Sequence, residues 1–281
     1  MLTAKSGRAT FNILEGSSAS FSVEATYRDQ TQSVILADSR WQFIFPALKP
    51  EHLVLLIHGI NTRGDWIAEV SESLQAAGLI VEPAGYGVYG VTRFLMPFSF
   101  LRKRAVDRVR IRINAAISLH RPAKISVVAH SFGTYIFSQL LASEFQIKWH
   151  RIIFCGSVVS SDFPFHQYQS DRFSPPILNE IGTRDAWPAV AAAVTWGYGS
   201  IGSHGYQGAP LKERWHRKFA HSDFLTSNFA AKFWVPFLLY DRIVKADNPE
   251  PFPLWIAILT RLPIKYLVWG FVLLPIVLTL R

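Results

Sequence analysis

Short, almost unbroken apolar runs alternate along this chain with longer stretches in which apolar residues recur at helical spacing. Leu53-Val54-Leu55-Leu56-Ile57 is apolar at every position, which is the pattern of a strand covered on both faces. Asp65 to Ala77, closed by Gly78, then reads as a helix, Leu79 to Glu82 as a strand, Lys103 to Leu119 as a helix and Lys124 to Ala129 as a strand. The alternation continues with a helix from Phe132 to Phe145 and strands at Arg151 to Val159 and Ile177 to Ile181. A helix from Asp185, a strand from Arg214 to Ala220 and a helix from Asp223 to Trp234 follow. This alternation of strand and helix predicts an α/β fold, a mostly parallel doubly wound sheet with helices on both faces. Ahead of it, period-two alternation in Ala19 to Tyr27, Ser33 to Leu36 and Trp41 to Phe45 predicts opening strands, antiparallel to one another.

A chain of 281 residues holds one sizeable core, and no repeat or linker divides it. The reading is therefore a body over residues 1–250, opening strands included, and an apolar carboxyl-terminal segment over 251–281. That segment changes the picture. Tyr266 to Leu280 carries no charge but falls short of the roughly 17 to 25 residues of a spanning helix. A marginal membrane anchor is the leading expectation, helped by Lys265 reaching back to the interface. An interfacial segment and packing against the body are the alternatives. Arg261 and Lys265 on the near side keep the body cytoplasmic in this reading, as does the absence of an apolar leader in Met1 to Leu14.

Charge and cysteine content narrow the chemistry. The net charge of +9 favours anionic surroundings without choosing among them. Its densest patch, Leu101 to Arg112, has Val106, Val109, Ile113 and Ala116 at helical spacing, so its basic residues form a solvated face, or alternatively one turned to phosphate or headgroups. No recognition motif accompanies them, and no nucleic acid is expected as partner. The lone Cys155 excludes a disulfide framework and a cysteine metal site. No cofactor and no metal is expected.

The chemistry is concentrated at Ala129-His130-Ser131-Phe132-Gly133, between the apolar Ile125 to Val128 and an amphipathic stretch from Tyr135 to Leu141. A strand that ends on a small residue, a serine and a helix start is the context of a sharp, strained turn that exposes the serine oxygen. This segment resembles the nucleophile elbow of the α/β-hydrolase superfamily, its lipase and esterase branches in particular, with Ala129 where the family pattern has glycine. The likeness covers about Leu53 to Pro236.

It implies a serine hydrolase with Ser131 as nucleophile, followed in the chain by an acid and then a histidine. His221, after the last predicted strand and before Ser222-Asp223, is the expected base; His204 and His216 are the alternatives. Asp185, at a strand end, is the expected acid, with Asp162 the rival. The backbone amides of Phe132 and of Ile60, in Leu56-Ile57-His58-Gly59-Ile60, are the expected oxyanion donors, and His58 is structural. Aromatic residues in the loops Tyr86 to Phe100, Ser160 to Ser174 and Trp196 to Pro210 suit a lipophilic acyl ester, met at a membrane through the carboxyl-terminal segment. A membrane-attached, non-catalytic interaction protein on the same fold, and an acyltransferase or peptidase with the same triad, are the other readings. Oligomeric state is not legible.

Overall fold

The computed structural model describes residues 21–27, 30–36, 51–60, 64–206, 208–248, 256, 258, 262 and 264–279. Two compact units divide the chain, Met1–Pro50 and Glu51–Arg281. In the first, β1 (Phe21–Tyr27) and β2 (Gln30–Leu36) pair antiparallel, with Phe21 opposite Leu36 and Tyr27 opposite Gln30. The second strand begins at Gln30, earlier than the expected Ser33. The strand expected at Trp41 to Phe45 lies outside the described residues.

In the second unit, β3 (His52–Ile57), α1 (Asp65–Ala76), β4 (Ile80–Pro83), α2 (Val91–Leu95), α3 (Ser99–His120), β5 (Lys124–His130) and α4 (Phe132–Ser143) come first. They are followed by β6 (Ile152–Cys155), β7 (Ile177–Gly182), α5 (Trp187–Val194), α6 (Ile201–His204) and β8 (Leu211–His216). The chain then runs through α7 (Ser227–Phe229), a π-helical stretch (Ala230–Trp234), α8 (Val235–Tyr240) and α9 (Ile264–Thr279). The π-helical stretch ends just before Pro236, whose missing N–H and bulky ring do not fit the regular α-ladder.

The six strands form one sheet in the order β4-β3-β5-β6-β7-β8, every neighbouring pair parallel. Side-chain alternation divides its residues between two cores. Leu53, Leu55, Ile57, Val127, Ala129 and Phe154 meet α3 and α4 through Val109, Ile113, Ile136 and Leu140. Val54, Leu56, Val128, Ile153 and Leu178 meet α1, the π-helical stretch and α8 through Val70, Leu74, Trp234 and Phe237. The central strands β3 and β6 are almost wholly apolar because both faces are covered, whereas the edge strand β8 carries Lys212, Glu213, Arg214 and His216.

The order also fixes where a site can form. From β3 the chain moves outward to β4, then returns to the far side of β3 to lay down β5, so strand order reverses between β3 and β5. A crevice outside the carboxyl ends of two such strands is where open α/β sheets bind ligands. Ile57 pairs with Ala129, which sets the segments after β3 and β5 side by side.

Helix α3 begins at Ser99, earlier than the expected Lys103, and three further expected elements of this unit differ nearer the candidate site. β6 stops at Cys155 instead of Val159, because Gly156 takes φ +54° and turns the chain off the sheet. β8 runs from Leu211 to His216 and not from Arg214 to Ala220, leaving His221 in a loop. The helix expected from Asp223 begins at Ser227, where Thr226 Oγ1 accepts the amide of Phe229 at 3.2 Å; Asp223 instead accepts the amide of Ala220 at 2.7 Å and closes the His221 loop.

The membrane anchor is likewise corrected. Among the described residues no helix is long and apolar enough to cross a bilayer, and α9 has 16 residues. The helix packs on α5: Trp269 Nε1 donates to the carbonyl of Val194 at 3.1 Å, and Tyr266 meets the ring of Trp196 edge-on at 5.5 Å.

Candidate active site

Ser131 stands between β5 and α4 with φ 53° and ψ −123°, a conformation that non-glycine residues avoid and that persists only where its surroundings enforce it. Its amide donates to the carbonyl of Cys155 at 2.9 Å, and its own carbonyl accepts the amide of Thr134 at 2.9 Å and the hydroxyl of Thr134 at 2.6 Å. The turn is thus held from both sides. Phe132 opens α4, where the first amides of a helix have no intrahelical acceptor and the helix dipole favours negative charge.

The segment after β3 closes on this turn. A Cβ on Gly59 would lie 2.8 Å from Ser131 Cβ, so only glycine permits the approach that brings Ile60 to the same cavity. Tyr86 fixes the segment: its hydroxyl donates to the carbonyl of Gly59 at 2.5 Å and lies 3.0 Å from that of His58. The Tyr86 ring stacks on the His58 imidazole, centroids 4.3 Å apart. His58 Nδ1 donates to the Gly59 carbonyl at 2.8 Å, and burial lowers its pKa. His58 is a structural part of the turn.

Asp185 follows β7 and is fully buried at its side chain. His221 Nδ1 lies 3.0 Å from each Asp185 carboxylate oxygen. Asp185 Oδ1 also accepts the amide of Trp187, the first residue of α5, at 3.1 Å, so the residue is tied to the helix start as well as holding the histidine. With Nδ1 donating, the neutral His221 ring leaves Nε2 as the acceptor. That atom is buried and has no hydrogen-bond partner among the described residues. Nucleophile and base often stand apart in unliganded sites and tighten when substrate arrives. Ile60, Ser131, His130 and His221 line one cavity of about 510 Å³ together with Trp66, Val91, Trp187 and Leu225.

Two further residues shape the site, and neither drew notice in the sequence. His130 Nε2 donates to the backbone carbonyl of His221 at 2.9 Å, which ties the elbow to the loop carrying the expected base. Its pKa is pushed down to about 3, by burial first and then by the neighbouring His221, so the ring is neutral at ordinary pH. Gly156 is the second: a Cβ there would fall 2.8 Å from both Nδ1 and Cε1 of His221 and 3.0 Å from Asp185 Oδ2.

The alternatives sit elsewhere. Asp162 is exposed in the loop after β6. His204 ends α6 with Nδ1 3.1 Å from Ser200 Oγ. His216 lies on β8 with Nε2 2.7 Å from Glu180 Oε2, inside a buried cluster in which Glu180 also receives Arg214 and Trp234 Nε1. Burial would raise the Glu180 carboxyl, but Arg214 and the bonds from Arg214 and His216 outweigh it and hold it below the usual range. Among the described residues no group of His, Cys, Asp and Glu is placed to hold a metal.

No family model matches the chain, and no curated protein matches it. Solved structures that are similar include TT1662 from Thermus thermophilus, at 15% identity and TM-score 0.43 over 78% of this chain and 97% of that one. The product of gene lin2722 from Listeria innocua is 9% identical, with TM-score 0.40 over 70% and 96%. A protein of Agrobacterium vitis S4 that carries a provisional hydrolase name is 11% identical, with TM-score 0.39 over 72% and 91%. At these scores the likenesses are coarse and say nothing of chemistry. The chain's own strand order shows an α/β fold, a parallel sheet with helices on both faces and a strained serine between β5 and α4.

Proposed function

We propose that the protein is a serine hydrolase that cleaves a lipophilic ester through an acyl-enzyme intermediate. One observation carries the reading: His221, held by the buried Asp185, and Ser131 in strained backbone line the same cavity. In this reading Ser131 Oγ attacks the acyl carbon while His221 Nε2 takes its proton, and Asp185 holds the imidazole tautomer and stabilises the imidazolium. The amides of Ile60 and Phe132 receive the oxyanion. The carbon–oxygen bond to the alcohol then breaks, His221 returns the proton to the leaving oxygen, and water, deprotonated by His221, releases the acid. The apolar lining from Ile60, Trp66, Val91, Trp187 and Leu225 supports an acyl chain over a charged group, and the volume is that of a small-molecule site.

The test is hydrolysis of p-nitrophenyl esters of increasing acyl length. Turnover that rises with chain length and disappears in Ser131→Ala supports the proposal; turnover unchanged in that variant defeats it. For membrane contact, the exposed Tyr266, Leu267 and Phe271 of α9 support a peripheral mode in place of a span. Flotation of the protein with vesicles, lost on Phe271→Ser with Leu267→Ser, is the expected result, and protein that never floats removes this part of the proposal.

A further inference from the structure

We propose that the cleft between the segment Tyr86 to Arg93 and α3 is a binding site for a phosphate group. Three guanidinium groups, Arg93, Arg104 and Arg108, line a cavity of about 200 Å³ there with Tyr86 and Tyr89, and no acidic residue shares the lining. The nearby carboxylates are engaged elsewhere: Asp107 and Glu144 with Arg110, and Glu82 with His120. Arg104 and Arg108 stand one turn apart on α3, a spacing at which like charges repel, and the fold keeps them together with a third cation opposite.

Two of the three are already oriented. Arg108 Nη1 donates to the carbonyl of Tyr86 at 3.2 Å, and the Arg93 guanidinium stands 5.6 Å from the centre of the Tyr89 ring. Each keeps further N–H donors for a ligand. Planar guanidinium forks match phosphate oxygens two at a time, and a doubly charged phosphate offsets the retained repulsion better than a carboxylate does. Tyr86 joins this cleft to the candidate active site, since its carbonyl meets Arg108 while its hydroxyl holds the His58-Gly59 turn.

The phosphate can come from a soluble phosphomonoester or from an anionic lipid headgroup, and the experiment separates them. Titration calorimetry of the full chain with inorganic phosphate, at ionic strength held constant with chloride, is expected to give saturable binding at one site per chain. Arg104→Gln with Arg108→Gln is expected to weaken it at least tenfold while leaving the far-UV circular dichroism unchanged; Arg93→Gln alone, on a different helix, is expected to weaken it too. Flotation with phosphatidylcholine vesicles containing phosphatidic acid follows. Retention that inorganic phosphate displaces assigns a headgroup, and phosphate binding without retention assigns a soluble ligand. Heat no larger than the chloride control, acetate binding as tightly as phosphate, or wild-type affinity in the folded double variant overturns the proposal. None of these outcomes depends on Ser131, so failure here is distinguishable from failure of the hydrolase reading.

Discussion

Gly156→Ala is expected to disable the site while leaving the sheet intact. The perturbation has two parts. Gly156 sits at φ +54°, in the left-handed region that costs an alanine about 1–2 kcal/mol. Its new methyl would lie 2.8 Å from the His221 imidazole and 3.0 Å from the Asp185 carboxylate, well inside the ~3.5–4.0 Å of ordinary carbon contact. Asp185 is bound to the start of α5 through the Trp187 amide at 3.1 Å, whereas His221 rides on a loop, so the imidazole is the group that moves. Displacement of a reacting group by about 1 Å costs on the order of 10² in rate. The assay is the second-order rate constant for labelling by a fluorophosphonate, read beside the thermal midpoint. A labelling rate lower by about 10²-fold, with a midpoint lower by about 2–8 °C for a unit of this size, is the expected outcome. A folded variant that labels at the wild-type rate would refute the placement of Gly156 against a working His221–Asp185 pair.

Asp185→Asn keeps the shape of the site but removes the charge that fixes the His221 tautomer, and ester turnover is expected to fall about 10⁴-fold as in other triads; a loss below tenfold would speak against Asp185 as the acid. Acid is expected to destabilise the fold through histidines buried neutral. His130 has its pKa lowered from 6.5 to about 3 and His52 from 6.5 to about 4, by burial first in both. Below pH 6.5 the unfolded chain takes up protons that the folded chain refuses, so stability is full above that pH and falls as pH drops, by about 1.4 kcal/mol per unit for each such histidine. Urea midpoints from pH 7.5 to 4.5 test this, and a flat profile contradicts it. Arg214→Met leaves the Glu180 carboxylate buried without its cation and is expected to cost about 3–5 kcal/mol, with no signature in the pH dependence of turnover; chemical denaturation that shows under 1 kcal/mol would show that the cluster is dispensable.

The alternation of strands and helices and the elbow were legible because both rest on local pattern, whereas the order of the strands in the sheet was not. Unbroken apolar runs mark strands covered twice, and a small residue, serine and helix start in succession mark a turn that only a few conformations allow. Asp185 and His221 were legible as residues past strand ends, where side chains reach the crevice. Their pairing was expected only through the resemblance, since in the chain it depends on the loop after β8 folding back: the amide of Arg184 donates to the carbonyl of Phe219 at 2.9 Å, a backbone pairing without sequence signature. His130 was read only as a flanking position, because its partner is the main chain of a residue far along the sequence. The buried cluster was not legible, because an apolar-strand reading of β7 passes over its one carboxylate, Glu180, which stands opposite Arg214 on β8 with His216 two residues further on. The tail misled because apolar content alone does not separate a helix that enters lipid from one that lays Trp269 on its own domain.

The most direct measurement is mass-spectrometric localisation of a fluorophosphonate adduct on the intact chain, with Ser131→Ala and His221→Ala alongside. The account predicts a single adduct on Ser131, absent from the first variant and slowed by at least 10²-fold in the second. A folded wild-type chain that forms no adduct, or one modified at another serine, would contradict it.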